Sequence, residues 1–462
     1  MFGQAMGLVK RWIATAAAAA LVWAGIAMPV AAQQGQGQTL ALLRDAETEN
    51  AIRSMATPLW RAAGLQPDAV RILLVNDPSL NAFVGGGQNL FIHAGLLMRA
   101  ENAGQLLGVI AHETGHMAGG HLARLPDAYH NALMVSLLGL LAGAGAAVAS
   151  HGGGGMGALA GAGDLGAREF MAFARGVENS ADHAGLTFLD RTHMSAKGML
   201  DFMEILEKQE FLSATSQDPY LRTHPLTSER IDNVRNWVAH SPYSDVPPPA
   251  EDRILFDRIR AKLVAFLQPP TTVLARYKEK DTSVVARYAR AIAYYRFPDL
   301  KRALPLIDGL IAEHGDDPYF FELKGQMLFE NGRVAEAVEP YRRAVALLPD
   351  SALIKISFAQ VELEANDPKL VKPAIATLED ARRSESDNVL LWRMLAVGYG
   401  RDGDIGMATV ALSEIALLEH RNRDARDQAK RAQQLLPVGS RGYLTAQDIE
   451  TASLHAIRDE KK

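Results

Sequence analysis

His112 and His116 stand four residues apart with Glu113 between them, in the run Ala111-His112-Glu113-Thr114-Gly115-His116. On an α-helix, positions i and i+4 project from one face, so the two imidazoles can grip a single ion. The flanking sequence agrees with a helix from Asn102 to Arg124. There Leu106, Leu107, Ile110, Ala111, Ala118 and Leu122 recur at three- and four-residue steps with no proline. A buried helix carrying two histidines and a glutamate is costly unless something pairs with them. Zinc accepts imidazole nitrogens at about 2 Å. The intervening glutamate then lies beside the ion without binding it, where it can take a proton from a zinc-activated water and pass it to a leaving amine. The HExxH pattern is short enough to arise by chance, so the remainder of the chain has to supply the third ligand.

A catalytic zinc site has three protein ligands and one open position. His121 falls one residue short of the place that the elongated three-histidine motif of the metzincins requires, where Leu122 stands. A glutamate on a second helix is the alternative, and Arg175-Gly176-Val177-Glu178-Asn179-Ser180-Ala181-Asp182 offers one. Asp182 follows Glu178 by one turn on the same face, where its carboxylate can accept the second ring N–H of a ligating histidine and fix its tautomer. Standing alone, Glu178 and Asp182 would be a solvated helix face. After a histidine pair, and ahead of an amphipathic helix, they read as third ligand and supporting carboxylate. His183 and His193 read as surface histidines.

The chain has 462 residues, room for two or three domains, and 48 basic against 53 acidic residues give it a formal charge of -5. No basic block advertises a nucleic-acid partner. Residues 1–32 have the pattern of a signal peptide: Lys10 and Arg11, the apolar run Trp12 to Met28, then Val30-Ala31-Ala32, with cleavage expected after Ala32. The competing reading is an uncleaved membrane anchor. The sequence contains no cysteine, which excludes disulfides and lipoprotein attachment and fits an oxidising compartment. Export to a bacterial periplasm is the expected localisation.

Residues 33–40 form a polar tail, and the apolar spacing from Leu40 to Ala63 predicts a leading helix. Val70 to Val75 reads as a strand, followed by an Asn76-Asp77-Pro78-Ser79 turn. Asn81-Ala82-Phe83-Val84 and Asn89-Leu90-Phe91-Ile92, joined by Gly85-Gly86-Gly87, read as a hairpin. In a metallopeptidase the strand at Asn81, Ala82 and Phe83 can pair with an extended substrate through main-chain hydrogen bonds; otherwise it covers one side of the helix. The apolar stretch Leu133 to Ala149 is about long enough to span a bilayer, but a crossing there would separate the histidines from any ligand beyond residue 150. Residues 130–165 are therefore expected to form a lid or a membrane-touching helical hairpin over the cleft. The glycine run Gly152 to Gly155 lacks the Lys-Ser/Thr of a phosphate loop.

Several motifs occur in order: Asn81-Ala82-Phe83, Gly95-Leu96-Leu97, His112-Glu113-Thr114-Gly115-His116 with His121, Glu178 to Asp182, and Thr223-His224-Pro225 with Arg230. The set resembles the zinc metallopeptidase family that includes the HtpX and Oma-type proteases. It is most similar to the soluble periplasmic BepA/YfgC-type branch, in which tetratricopeptide repeats follow the peptidase domain. The likeness covers nearly all of the chain beyond the leader. Asp182-His183 departs from the Asp-Arg common in the family, which puts any role for that arginine in doubt here. The resemblance implies degradation or assisted assembly of misfolded outer-membrane proteins, with the repeats docking on the barrel-assembly machinery. It also implies that His224 occupies the open zinc position and holds the enzyme latent. From the residues alone, His224 and Arg230 can serve as plug, as partners of the oxyanion of the tetrahedral intermediate, or as a turn capping a helix from Leu226 to Trp237.

Pro247-Pro248-Pro249 marks a linker, and ten of the 13 histidines precede residue 241, so metal chemistry belongs to the first domain. Between Pro318 and Ser351, Phe321, Gly325, Gly332, Ala337, Tyr341, Ala344 and Pro349 fall on the 34-residue tetratricopeptide pattern. Trp392, Leu395, Ala396, Tyr399, Gly403 and Ala408 repeat its opening half. Three or four helix pairs are expected from about Val284 to Pro437, each burying its apolar face against its neighbours.

The expected architecture is mostly α: a zincin-type peptidase domain with a small β-sheet over 33–246, a linker and connecting helix over 247–283, and an α-helical repeat domain over 284–462. The expected function is a zinc metalloendopeptidase with one ion held by His112, His116 and Glu178, Glu113 as base, and repeats that recruit partners. Unfolded protein is the expected substrate, with possible peripheral membrane contact. The competing class is a non-catalytic chaperone or scaffold in which zinc is structural.

Overall fold

The structure, a computed structural model, describes residues 41–121, 155–210 and 219–460. It divides into two compact units, Met1–Val264 and Ala265–Lys462. The leader, residues 1–32, lies outside the described residues.

The first unit opens with a two-residue strand, β1 (Leu42–Leu43), and a helix, α1 (Ala46–Ala62). A helix starting at Leu40 was the sequence expectation. Asp45 sets the later start because its side chain accepts from the Thr48 amide at 2.6 Å, capping the helix. Leu42 and Leu43 are left free to pair antiparallel with Val75 and Leu74 of β2 (Arg71–Val75).

The predicted hairpin is present as β3 (Ala82–Gly85) and β4 (Asn89–His93), turning through Gly86 and Gly87, both at positive φ. The four strands lie in the order β1-β2-β4-β3, with β2 parallel to β4. That parallel pairing is not visible in two short aliphatic runs, since a strand's letters do not name its neighbour.

After α2 (Ala94–Arg99) comes the histidine helix α3 (Ala103–Gly119). Asn102 caps it by accepting from the Gln105 amide at 3.0 Å. Gly120, left-handed at φ 60°, ends it five residues before Arg124 and leaves His121 outside the helix. Next come α4 (Gly155–Arg191), α5 (Lys197–Glu210), the short α6 (Pro219–Thr223), α7 (Ser228–His240) and α8 (Ala250–Leu267). Of the stretch expected as a lid or hairpin, residues 122–154 lie outside the described residues, and 155–165 are the first turns of α4. Among the described residues, no helix is long and apolar enough to cross a membrane.

Most of α8, just beyond the three prolines, belongs to the first unit. Lys262 of α8 lies 2.5 Å from Asp45 and 3.0 Å from Glu47, and Arg258 bonds the same Glu47, which is buried. Two cations on successive turns of α8 thereby satisfy a carboxylate sealed beneath the first turn of α1.

The second unit is helical. After α9 (Pro270–Arg276) come five pairs: α10 (Val284–Arg296) with α11 (Leu300–Glu313), α12 (Pro318–Glu330) with α13 (Val334–Leu347), α14 (Ala352–Glu364) with α15 (Pro368–Ala381), α16 (Val389–Asp402) with α17 (Ile405–Leu418), and α18 (Asn422–Leu435) with α19 (Arg441–Asp459). Small residues set the close pairing: a Cβ at Gly325 would come 2.5 Å from the ring of Tyr341 on the partner helix. The last pair extends beyond the expected end at Pro437. Its interface is built on Ala425, Ala429, Ala432 and Ala446, residues too common in helices to announce a repeat.

Candidate metal centre

Three segments of the first unit bring four side chains together. From α3, His112 Nε2 and His116 Nε2 lie 3.1 Å apart. Glu178 of α4 places one carboxylate oxygen 3.5 Å from His112 Nε2 and the other 3.4 Å from His116 Nε2. His224, just after α6, brings Nδ1 to 3.3 Å from His112 Nε2 and from both Glu178 oxygens. Donors at 2.0–2.1 Å around a tetrahedral ion are separated by about 3.3 Å, and these separations of 3.1–3.5 Å lie near that value. All four residues are buried, and their donor atoms lie within 4.8 Å of one another.

Charge and hydrogen bonding point the same way. Two buried carboxylates, Glu178 and Asp182, contact one buried guanidinium, Arg230, with Glu113 buried beside them, so with neutral histidines the cluster is net negative and a cation offsets it. Burial alone would strip the charge from His112, but the Asp182 and Glu178 carboxylates outweigh it and push its pKa up to about 10; the cluster favours positive charge at this point. Burial works against the Glu178 carboxylate too, yet hydrogen bonding from His112, His116 and His224 holds it far below the usual range. Glu113 and His224 Nε2 are buried, with Glu113 Oε1 3.4 Å from His224 Nε2 and the carboxylate beside the Val84 main chain, but these contacts fall short of good hydrogen-bond geometry. The residues present therefore fit a divalent ion.

Each donor is itself held. Asp182 Oδ1 accepts from His112 Nδ1 at 2.8 Å, which leaves the Nε2 lone pair for a metal. Arg230 donates twice to Asp182, from Nε at 2.6 Å and Nη2 at 2.8 Å, and its Nη1 reaches Glu178 at 3.0 Å and the Pro225 carbonyl at 2.7 Å. This guanidinium ties both carboxylates to the backbone beside His224. Helix α7 is capped by Thr227, whose side chain accepts from the Arg230 amide, so His224 is free of the capping role considered from the sequence. His121 Nδ1 lies 3.2 Å from His116 Nδ1, behind the ligand ring rather than among the converging donors.

Residues 43–238 match the family described as Peptidase family M48, and residues 288–352 match a tetratricopeptide repeat. The first match is a metallopeptidase domain of family M48. The chain is 25% identical to "Beta-barrel assembly-enhancing protease" of Yersinia pestis over 301 residues, 64% of this chain and 61% of that one. The same name and identity apply to a Shigella flexneri protein matched over 336 residues, 71% of this chain and 67% of that one. "Mitochondrial metalloendopeptidase OMA1" of Saccharomyces cerevisiae is 30% identical over 177 residues, 36% of this chain and 46% of the relative. The chain thus spans about three-fifths of the length of the Yersinia relative.

Within the M48 domain the helices meet at van der Waals limits. A Cβ at Gly115 would come 2.5 Å from the Ala181 carbonyl oxygen, and one at Gly185 3.0 Å from the Ala111 backbone. This closeness lets the short carboxylates of α4 reach the imidazoles of α3. Gly115→Ala is expected to force α4 outward, costing about 1–3 kcal/mol of stability and weakening metal binding more than tenfold. Denaturant unfolding and competitive metal titration measure both; unchanged metal affinity would show that the carboxylates reach without this contact.

Strand β3 is an edge strand that pairs only with β4 among the described residues. His93 N donates to Asn81 O at 3.0 Å, so by alternation Asn81, Phe83 and Gly85 turn their main chain toward β4, while Ala82 and Val84 turn theirs outward. Phe83 stacks on Phe91 at 4.7 Å. The sequence-predicted strand is therefore beside the metal helix, with Ala82 and Val84 buried and the Val84 main chain turned toward Glu113.

Tyr220 was not singled out from the sequence. It is buried, with its ring 4.5 Å from that of His224 and 5.4 Å from that of Phe202. The four-residue step from Tyr220 to His224 was the available signal, but α6 is too short to show helical periodicity.

Proposed function

We propose that the chain is a zinc-dependent endopeptidase, with His112, His116 and Glu178 as ligands and Glu113 as base. The observation that carries this reading is the convergence of four buried donors within 4.8 Å of one another beside the buried Glu113 carboxylate. Two or more imidazoles with one carboxylate are a zinc donor set, and zinc bound there would supply Lewis-acid activation of a water molecule. Burial carries the Glu113 carboxyl up to about 7, a range suited to accepting and returning a proton near neutrality. Asp182 orients His112, and Arg230 orients Asp182. Strand β3 at Asn81, Ala82 and Phe83 binds an extended peptide by strand addition once its buried edge is uncovered, which selects for unfolded chains over folded ones.

His224 serves in this reading as a resting plug. Its Nδ1 sits at the corner a catalytic water would take, and its Nε2 lies 3.4 Å from Glu113 Oε1. One imidazole thus occupies both the water site and the partner site of the base.

The leading segment of residues 1–32 supports export to the periplasm, and the names of the Yersinia and Shigella relatives support a role in degrading or assisting assembly of outer-membrane proteins. The repeats of the second unit recruit protein partners, including the assembly machinery. A scaffold with structural zinc is the second reading, favoured by the four-donor set, since structural sites are closed.

Metal analysis tests the proposal. Purified protein is expected to carry one zinc per chain, to lose cleavage of unfolded casein on chelation, and to regain it with one equivalent of zinc. Protein without zinc, or cleavage that survives full chelation, overturns it.

A further inference from the structure

The two histidines of α3 are held from behind by different groups. His112 Nδ1 donates to the Asp182 carboxylate at 2.8 Å. For His116 the partner is another imidazole: His121 Nδ1 stands 3.2 Å from His116 Nδ1, with the two ring planes at 86°. Both rings are buried.

Two imidazole nitrogens at this distance form a hydrogen bond only if one carries the proton and the other accepts it. His116 turns Nε2 toward His112 and Glu178, the side on which the donors converge. A neutral imidazole offers a metal the lone pair of one nitrogen while the other holds the proton. The proton between the rings therefore belongs to His116, and His121 accepts it.

The chain before His121 is shaped for this contact. Gly120, at φ 60°, caps α3 and turns the backbone left-handed. One glycine suffices for that cap, yet Gly119 precedes it. A Cβ at Gly119 would come 2.3 Å from His121 Nε2, so a larger residue there would push the ring aside.

We infer that His121 is the positioning residue of His116: it accepts the Nδ1 proton, fixes the tautomer that frees Nε2 for the ion, and does so without adding charge. This role rests on the reading of His116 as a metal ligand. Glu113, Glu178 and Asp182 already place three buried carboxyl groups in the cluster, and an uncharged base supports the second histidine without a fourth. A carboxylate partner raises the basicity of a ligating imidazole, so the two histidines are unequal, His112 being the stronger donor.

Substitutions in the full-length protein separate the hydrogen bond from packing. Asparagine and aspartate each place an oxygen where histidine places Nδ1, whereas leucine fills similar room without an acceptor. Zinc affinity is read by competition with a chromophoric chelator near neutral pH. His121→Leu is expected to lose about ten- to a hundredfold in affinity, His121→Asn to keep most of it, and His121→Asp to bind more tightly than the wild type. Gly119→Ala, which displaces the ring but alters no hydrogen-bonding side chain, should weaken binding as His121→Leu does and serves if that variant does not fold. Equal losses in His121→Leu and His121→Asn, no gain in His121→Asp, or unchanged affinity in both His121→Leu and Gly119→Ala overturns the inference.

Nitrogen-15 NMR of histidine-labelled, zinc-free protein reads the tautomer directly. His116 is expected to carry its proton on Nδ1 in the wild type and in His121→Asn, and to lose that fixed preference in His121→Leu. A wild-type His116 protonated on Nε2 alone overturns the role. If the wild type takes up no zinc while His116 keeps its Nδ1 proton, the metal reading fails and His121 stands as the group that sets the His116 tautomer.

Discussion

Glu113→Gln is expected to abolish peptide cleavage while fold and metal content stay as they are. The substitution keeps the shape of the side chain and removes its ability to carry a proton. Glu113 is buried and belongs to none of the four donors, so the ligand set is untouched. Loss of a general base lowers kcat by roughly a hundred- to ten-thousand-fold. Neutral glutamine also suits a buried position whose carboxyl burial already drives toward the neutral form, so a melting temperature equal to or above that of the wild type is expected. Zinc stoichiometry by metal analysis, a thermal melt and casein hydrolysis read the three quantities together. Retained hydrolysis would remove Glu113 from the mechanism, and hydrolysis lost together with zinc would show a structural role instead.

His224→Ala has the second large effect, and its sign separates two roles. As a plug, the imidazole must leave before water and substrate can take its place, so the measured rate is the intrinsic rate scaled by the fraction of molecules already open. Removing the ring is expected to raise kcat/KM on the order of tenfold while zinc content holds at one per chain, because His112, His116 and Glu178 remain. If His224 instead steadied the oxyanion of the transition state, the same variant would lose about a hundred- to a thousand-fold in kcat. Steady-state kinetics on an unfolded substrate distinguishes a rise from a fall.

The parts of the site legible in the sequence were those fixed by helical spacing. The four-residue step from His112 to His116, and the same step from Glu178 to Asp182, each determine a face whatever the helix packs against. Once the histidines demand a carboxylate, few candidates remain. The edge strand was legible from alternation and its glycine turn. The sequence did not reveal what depends on where separate elements meet. The β2–β4 pairing and the packing of Tyr220 against Phe202 and His224 both arise from contacts between distant segments. The extent of the second unit was obscured for another reason. Where the interface is mostly alanine with Ile449, as between α18 and α19, its residues are too common in helices to mark a repeat.

Arg230 grips the two carboxylates and, through the Pro225 carbonyl, the backbone that carries His224. If His224 is a fourth donor to the ion, ion binding and the docked position of His224 are thermodynamically linked, and linkage runs in both directions. A chain stripped of its ion should hold His224 more loosely, and a ligand that draws His224 away should loosen the ion by the same factor. A protein built this way stores its cofactor most securely while it is idle, and is most easily disarmed by chelators while it is at work.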